Sequence, residues 1–274
     1  MGQLKKRIRS YPVLFCVIYL ILLNGLRVIV NRSLARIVSS SMGVMIGISV
    51  EYLVWLGITL MVIQKLGLMT SIRLQKKNMK EALIWAIPGG IYLLIMGWIY
   101  LRASFWSNPG LLFVSILNSI CNGLMIEIIA RGLMMNLMIQ RWKGQRGYLI
   151  RAIVISSFLF VIARLLYPSQ ADAVTLSIQL FYAFLLGIFL GCIIVRGDNI
   201  WPAIFIQSAI DFIGGGAIVL MTESSSVLSA INAPWIESTA PILKVLLDNT
   251  ILLVYPLVIY GVCILYWRKK RVGA

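Results

Sequence analysis

The sequence predicts an all-α integral membrane protein of about eight spanning helices with both termini in the cytoplasm. Three observations predict it. Of the 274 residues, 60% are hydrophobic and 12% charged, whereas a soluble domain of this size is roughly half apolar and about a quarter charged. The mean hydropathy is +0.93. Apolar runs close to the roughly 20 residues needed to cross a bilayer recur along the whole chain. Lastly, the cations are distributed very unevenly between alternate loops.

The runs place spans at 11–31, 42–64, 82–101, 110–140, 148–167, 174–195, 199–221 and 247–267. The basic segment Met1 to Arg9 leads into Tyr11 to Val30, which is span-length and shows no small-residue cleavage site, so it reads as a retained first helix. The fourth run is long enough to tilt or protrude. Asp198 and Asn199 ahead of Pro202 form a start signal for the seventh. Pro88-Gly89-Gly90 and Pro256 are expected to kink the third and eighth. Gly187 and Gly191 form a small-xxx-small face on the sixth, suited to close helix packing. The Ser-rich stretch 222–241 reads as an outer loop. Spanning strands are excluded because open sheet edges cannot be satisfied in hydrocarbon. With no internal repeat visible, residues 1–274 read as a single domain.

The loops set the orientation. With the N-terminus inside, the inner segments carry eighteen of the 25 cations, clustered around Lys5–Arg9, Lys65–Lys80, Arg141–Arg151, Arg196 and Arg268–Arg271. The outer segments carry four: Arg32, Arg36, Arg102 and Lys244. Such asymmetry puts the cation-rich loops in the cytoplasm. It also accounts for the net charge of +16 without nucleic acid, and it makes anionic lipid heads a natural partner of the inner face. Cys16, Cys121, Cys192 and Cys263 all sit inside apolar runs, which is neither a disulfide framework nor a zinc pattern. The chain has no histidine, so the commonest general base and metal ligand is missing. No cofactor motif and no metal site is expected.

Six ionisable residues fall within spans: Arg27, Glu51, Glu127, Arg131, Arg164 and Asp211. A charge at lipid depth is costly and marks function by default. Arg27 lies far enough along its helix to snorkel toward the outer interface. At 1.5 Å per residue, Glu127 is about 21 Å from Arg141, Arg164 about 20 Å from Arg151, Asp211 about 18 Å from Asn199 and Glu51 about 21 Å from Lys65. Glu127 and Arg131 are also one turn apart. The expectation is an intramembrane ion-pair cluster of Glu51, Glu127, Arg131, Arg164 and Asp211. Its bland counterpart is a salt-bridge network that only orients helices.

At this cluster the sequence resembles a known family. Ile126-Glu127-Ile128-Ile129-Ala130-Arg131-Gly132 is similar to the Glu-Glu-x-x-x-Arg motif of the CAAX-protease and bacteriocin-processing (CPBP or Abi) family of intramembrane endopeptidases. Phe160 and Arg164 resemble its Phe-x-x-x-His motif, and Gln207 and Asp211 its His-x-x-x-Asn or Asp motif. The resemblance covers residues 110–220 and implies an eight-helix membrane protein. The departures are as informative. The resemblance implies a water-activating glutamate at Ile126 and histidines at Arg164 and Gln207, and all three are replaced. Glu127 lies about 100° round the helix from the expected base. A site in which Glu127 and Asp211 share a proton in the manner of aspartic proteases is disfavoured by the two arginines.

The resulting expectation is a non-catalytic scaffold, regulator, or immunity or maturation factor for another membrane or envelope protein or a peptide. The resemblance implies a bacterial plasma membrane. An active endopeptidase with an altered site using Glu127 is the alternative. A transporter-like protein is a third, which the lack of repeated halves and paired broken helices opposes.

Overall fold

In a computed structural model the chain is described for residues 2–37, 41–74, 78–101, 109–165, 173–213 and 257–265, and every regular element among them is helical. In order these are α1 (Gly2–Ser10), α2 (Pro12–Ile37), α3 (Ser41–Leu66), a 3₁₀ turn (Met69–Ser71), α4 (Met79–Leu101) and α5 (Pro109–Glu127). Then come a π-helical segment (Ile128–Met135), α6 (Asn136–Trp142), α7 (Tyr148–Leu165), α8 (Ala173–Gly197), α9 (Trp201–Asp211) and α10 (257–265). Among the described residues, Pro12–Val30, Met42–Leu66, Pro109–Trp142 and Gln179–Gly197 are long and apolar enough to cross a membrane, and Tyr148–Ala163 is a shorter apolar helix. The expected outer loop 222–241, Pro256, and parts of the seventh and eighth expected spans lie outside the described residues.

Two apolar stripes on one helix show how the bundle is built. On α2, Leu14, Ile18, Ile21, Leu22 and Ile29 point outward, while Cys16, Leu20 and Leu23 are buried. In water the outward stripe would be a liability; in lipid it is the matching surface. α4 repeats the pattern, with Leu83, Ile87, Ile91 and Leu94 outward and Ala82, Ala86 and Leu93 inward. The basic segment ahead of the first span forms a separate helix, α1, rather than an extension of α2. Arg9 at its end donates to the carbonyl of Leu66 at 3.0 Å.

Small residues set the closest approaches. A Cβ on Gly187 would lie 2.9 Å from Ser157 Oγ, and one on Gly191 would lie 2.9 Å from Ile153 Cγ2, so α8 presses its glycine face onto α7. A Cβ on Gly123 would come within 2.9 Å of the Ser208 backbone nitrogen, bringing α5 against α9. A Cβ on Gly89, beside Pro88 in α4, would lie 2.7 Å from Ile206 Cδ1. Polar links supplement the packing. Tyr19 and Thr59 hydroxyls lie 2.6 Å apart, and Tyr92 and Tyr182 hydroxyls 2.7 Å apart. Asn118 donates to Met45 O at 3.2 Å and Ser49 Oγ at 3.0 Å, tying α5 to α3.

Segments assigned to the inner side meet at one end of the bundle. Arg141 donates to Ser10 O at 3.4 Å, Trp201 Nε1 to Leu74 O at 3.0 Å, and the Ile200 amide to Arg73 O at 3.3 Å.

Candidate functional site

The long fourth span is not a uniform α-helix. It changes to π-helical winding for eight residues, Ile128–Met135, and returns to α at Asn136. Such wide turns inside α-helices often mark functional positions. Asn136 supports this one. Its Nδ2 donates to Arg131 O at 2.9 Å and Gly132 O at 3.1 Å, carbonyls of the altered turn.

Glu127 closes α5 just before this segment, and Arg131 lies within it. Their side chains are 0% and 1% exposed, and Arg131 NH1 lies 2.7 Å from Glu127 Oε1. Arg131 NH2 donates to Gly187 O at 3.0 Å, which the lack of a Cβ at Gly187 permits. The Arg131 guanidinium also sits 5.9 Å from the centre of the Phe160 ring. Glu127 Oε2, Arg131 Nε and the nearby Ser157 Oγ have no hydrogen-bond partner. This is an ion pair in a dry, low-dielectric interior, where breaking it leaves an uncompensated charge.

Beside the pair lies an open cavity of about 350 Å³. Leu20, Leu23, Met125, Ile126, Ile129, Phe160 and Leu180 give it apolar walls, and Asn24, Arg27, Asn122, Gln179 and Asp211 supply polar groups. Three of the positions singled out by sequence therefore face one space: Ile126, Phe160 and Asp211. Glu127, one residue from Ile126, does not line it. Asp211 is held by two amides, Asn122 Nδ2 to Oδ2 at 3.0 Å and Gln207 Nε2 to Oδ1 at 3.0 Å. Glu127 Oε1 is taken by Arg131 and Oε2 has no partner, so the two carboxylates share no hydrogen bond. The Arg164 side chain lies outside the described residues, and its expected pairing with them.

Glu51 stands apart from the expected grouping. Its partner is Arg27, at 3.2 Å, and Trp55 Nε1 donates to the same oxygen at 3.2 Å. Arg27 also lies 5.1 Å over the Tyr52 ring. Arg27, which its position along α2 marks as an interfacial residue, joins the cavity wall. A signal was available. Arg27 is fifteen residues from the inner end of α2, and Glu51 is fifteen from the inner end of α3. On antiparallel helices that puts opposite charges at one height, about 22 Å up. The amides Asn24 and Asn122 were missed as well, and an amide inside an apolar run was their signal. Among the described residues no group of His, Cys, Asp or Glu is placed to hold a metal ion.

Chemically, a general base must reach a water or a substrate proton. Glu127 is sealed from the cavity. At the cavity wall, where the resemblance implies the water-activating glutamate, stands the alkyl side chain of Ile126. What remains can solvate a polar stretch of chain inside a membrane: two asparagines, a glutamine, an arginine and a carboxylate.

Fold and site together define a polytopic α-helical membrane protein organised around a buried polar centre at lipid depth. Residues 107–213, which span α5 through α9, match the family model described as Type II CAAX prenyl endopeptidase Rce1-like. No curated protein and no solved structure matches the chain.

Proposed function

We propose that this protein is a non-catalytic relative of the intramembrane endopeptidases, which binds a segment of another membrane or envelope protein, or a peptide, without cutting it. The observation that carries the reading is the contrast between neighbours: Ile126 faces the cavity while Glu127 is fully buried against Arg131. A bound segment would meet apolar walls along most of its length, with Asn122 and Asp211 available to its polar groups. A scaffold, regulator, or bacteriocin immunity or maturation role in a bacterial plasma membrane is the context that fits such a binder.

A photo-crosslinking residue tests this, placed at Phe160 or Leu180 on the cavity wall and at lipid-facing Leu94 as control. The expected result is one defined adduct from the cavity positions and none from Leu94, unchanged in size and yield when Glu127→Gln is added. Time-dependent cleavage of the captured chain that disappears in Glu127→Gln would overturn the proposal in favour of an altered-site endopeptidase.

A further inference from the structure

The heights of the main cavity's walls show from which side it is entered. Its lowest wall residue on α2, Leu20, lies about 12 Å above the inner end of that helix at Pro12. On α8 the wall is Leu176, Gln179 and Leu180, which fall in the first two turns from the outer end at Ala173. Beneath this space Leu133, Met135, Met138, Phe189, Leu190 and Ile193 are fully buried. An interior so closely packed gives no passage to the cytoplasmic side. The cavity thus occupies the middle and outer part of the bundle, with its entrance toward the extracytoplasmic side.

Two amide side chains decide what can be held there. Asn24, on α2, is 5% exposed, and its Nδ2 donates to Leu20 O at 2.9 Å. Asn122, on α5, spends its Nδ2 on Asp211 Oδ2 at 3.0 Å. A carbonyl and an ionised carboxylate only accept, so in both residues the partner fixes which atom is nitrogen. What each residue leaves for the cavity is Oδ1, an acceptor. Among the described residues neither oxygen receives a hydrogen bond. Two acceptors from different helices therefore face a space walled by Leu20, Leu23, Ile126 and Phe160. A guest must bring N–H donors on an otherwise apolar body, because a buried acceptor left without a donor is costly.

A polypeptide in helical form cannot supply them, since its N–H groups are spent on its own carbonyls. A helix is also about 10–12 Å across, too wide for a cavity of about 350 Å³. An acyl chain carries no donor at all. An extended stretch has the complementary need: at lipid depth its N–H groups must find acceptors, and alternate residues face the same way.

Resting on the proposed binding of a chain segment, we infer that this cavity takes a short extended stretch of polypeptide from the extracytoplasmic side. Backbone N–H groups of the stretch donate to Asn24 Oδ1 and Asn122 Oδ1, and its apolar side chains pack on the leucine walls. A segment that arrives as a helix must unwind locally before it is held.

The test uses the full chain in mild detergent and the apolar peptide acetyl-Leu-Ala-Leu-amide. Ester analogues replace one backbone N–H at a time by oxygen, and binding is read by equilibrium dialysis. At least one ester should bind about tenfold more weakly than the parent. Asn24→Leu or Asn122→Leu should abolish that difference. Asn24→Leu leaves Leu20 O its helical partner, so it should fold normally. No binding of the parent, equal binding of parent and all esters, or a difference that survives both variants overturns the inference. For the entrance, Leu180→Cys in a Cys263→Ser background should react with a membrane-impermeant maleimide added outside intact cells, and the peptide should slow the reaction. Labelling only from the cytoplasmic face of inverted vesicles overturns outer entry. The peptide should be recovered intact; its cleavage overturns the non-catalytic reading, while the ester comparison still decides this one.

Discussion

Among the described residues two ion pairs sit at lipid depth, and they are built oppositely. Glu127–Arg131 lies within one helix, with both side chains sealed at 0% and 1% exposed. Arg27–Glu51 joins two helices, and its arginine borders the open cavity at 15% exposed. The same chemistry thus serves a closed structural purpose in one place and an accessible one in the other. The lesson is that depth in the membrane does not decide whether a charge reaches the cavity; the face of the helix does.

The comparison can be broken or sharpened by removing each cation. The largest effect is expected for Arg131→Met, which strands Glu127 in a dry interior and frees Gly187 O. A loss of about 3–5 kcal/mol is the order for breaking such a pair, read as a large fall in the unfolding midpoint in detergent. Adding Glu127→Leu should recover part of it, because no buried charge then lacks a partner. If the double variant is no more stable than Arg131→Met, the pair is not what holds this region. Arg27→Met should cost less, about 1–3 kcal/mol, the range for an orphaned buried acceptor, because its guanidinium is already partly open to the cavity. It should also change crosslinking from Leu180, which shares the cavity wall with Arg27. The smallest effect belongs to Glu81→Gln. Its contact with Arg196 is 4.0 Å and the Glu81 side chain is 52% exposed. Such surface pairs contribute about 0–1 kcal/mol, so the midpoint should barely move. A shift as large as that of Arg27→Met would erase the distinction between cavity and surface.

Much of the fold was legible because lipid imposes one simple rule, an apolar stripe about 20 residues long. The third expected span, 82–101, became α4 at Met79–Leu101, and the fourth, 110–140, became the continuous helix Pro109–Trp142. The π-helical turn within it was not legible, since Ile-Ile-Ala-Arg-Gly-Leu-Met-Met carries no residue that demands wide winding. Its support comes from the Asn136 amide reaching back to Arg131 and Gly132, a contact between a side chain and its own helix that hydropathy does not register. In the site, Ile126, Phe160 and Asp211 could be named from motif spacing. Arg27 could not, because its height along α2 alone does not reveal the partner on α3. A charge near the outer third of a lone helix reads as snorkelling; only pairing heights across antiparallel neighbours brings Glu51 opposite it.

Neutral pairing inside the bundle has an electrical consequence. A transmembrane voltage does work of about 2.3 kcal/mol on each unit of net charge per 100 mV crossed. Glu127 and Arg131, locked 2.7 Å apart, sum to zero, as do Arg27 and Glu51 at 3.2 Å. Moved together along the membrane normal, either couple carries no net gating charge, so the resting potential of a cell has little leverage on these helices.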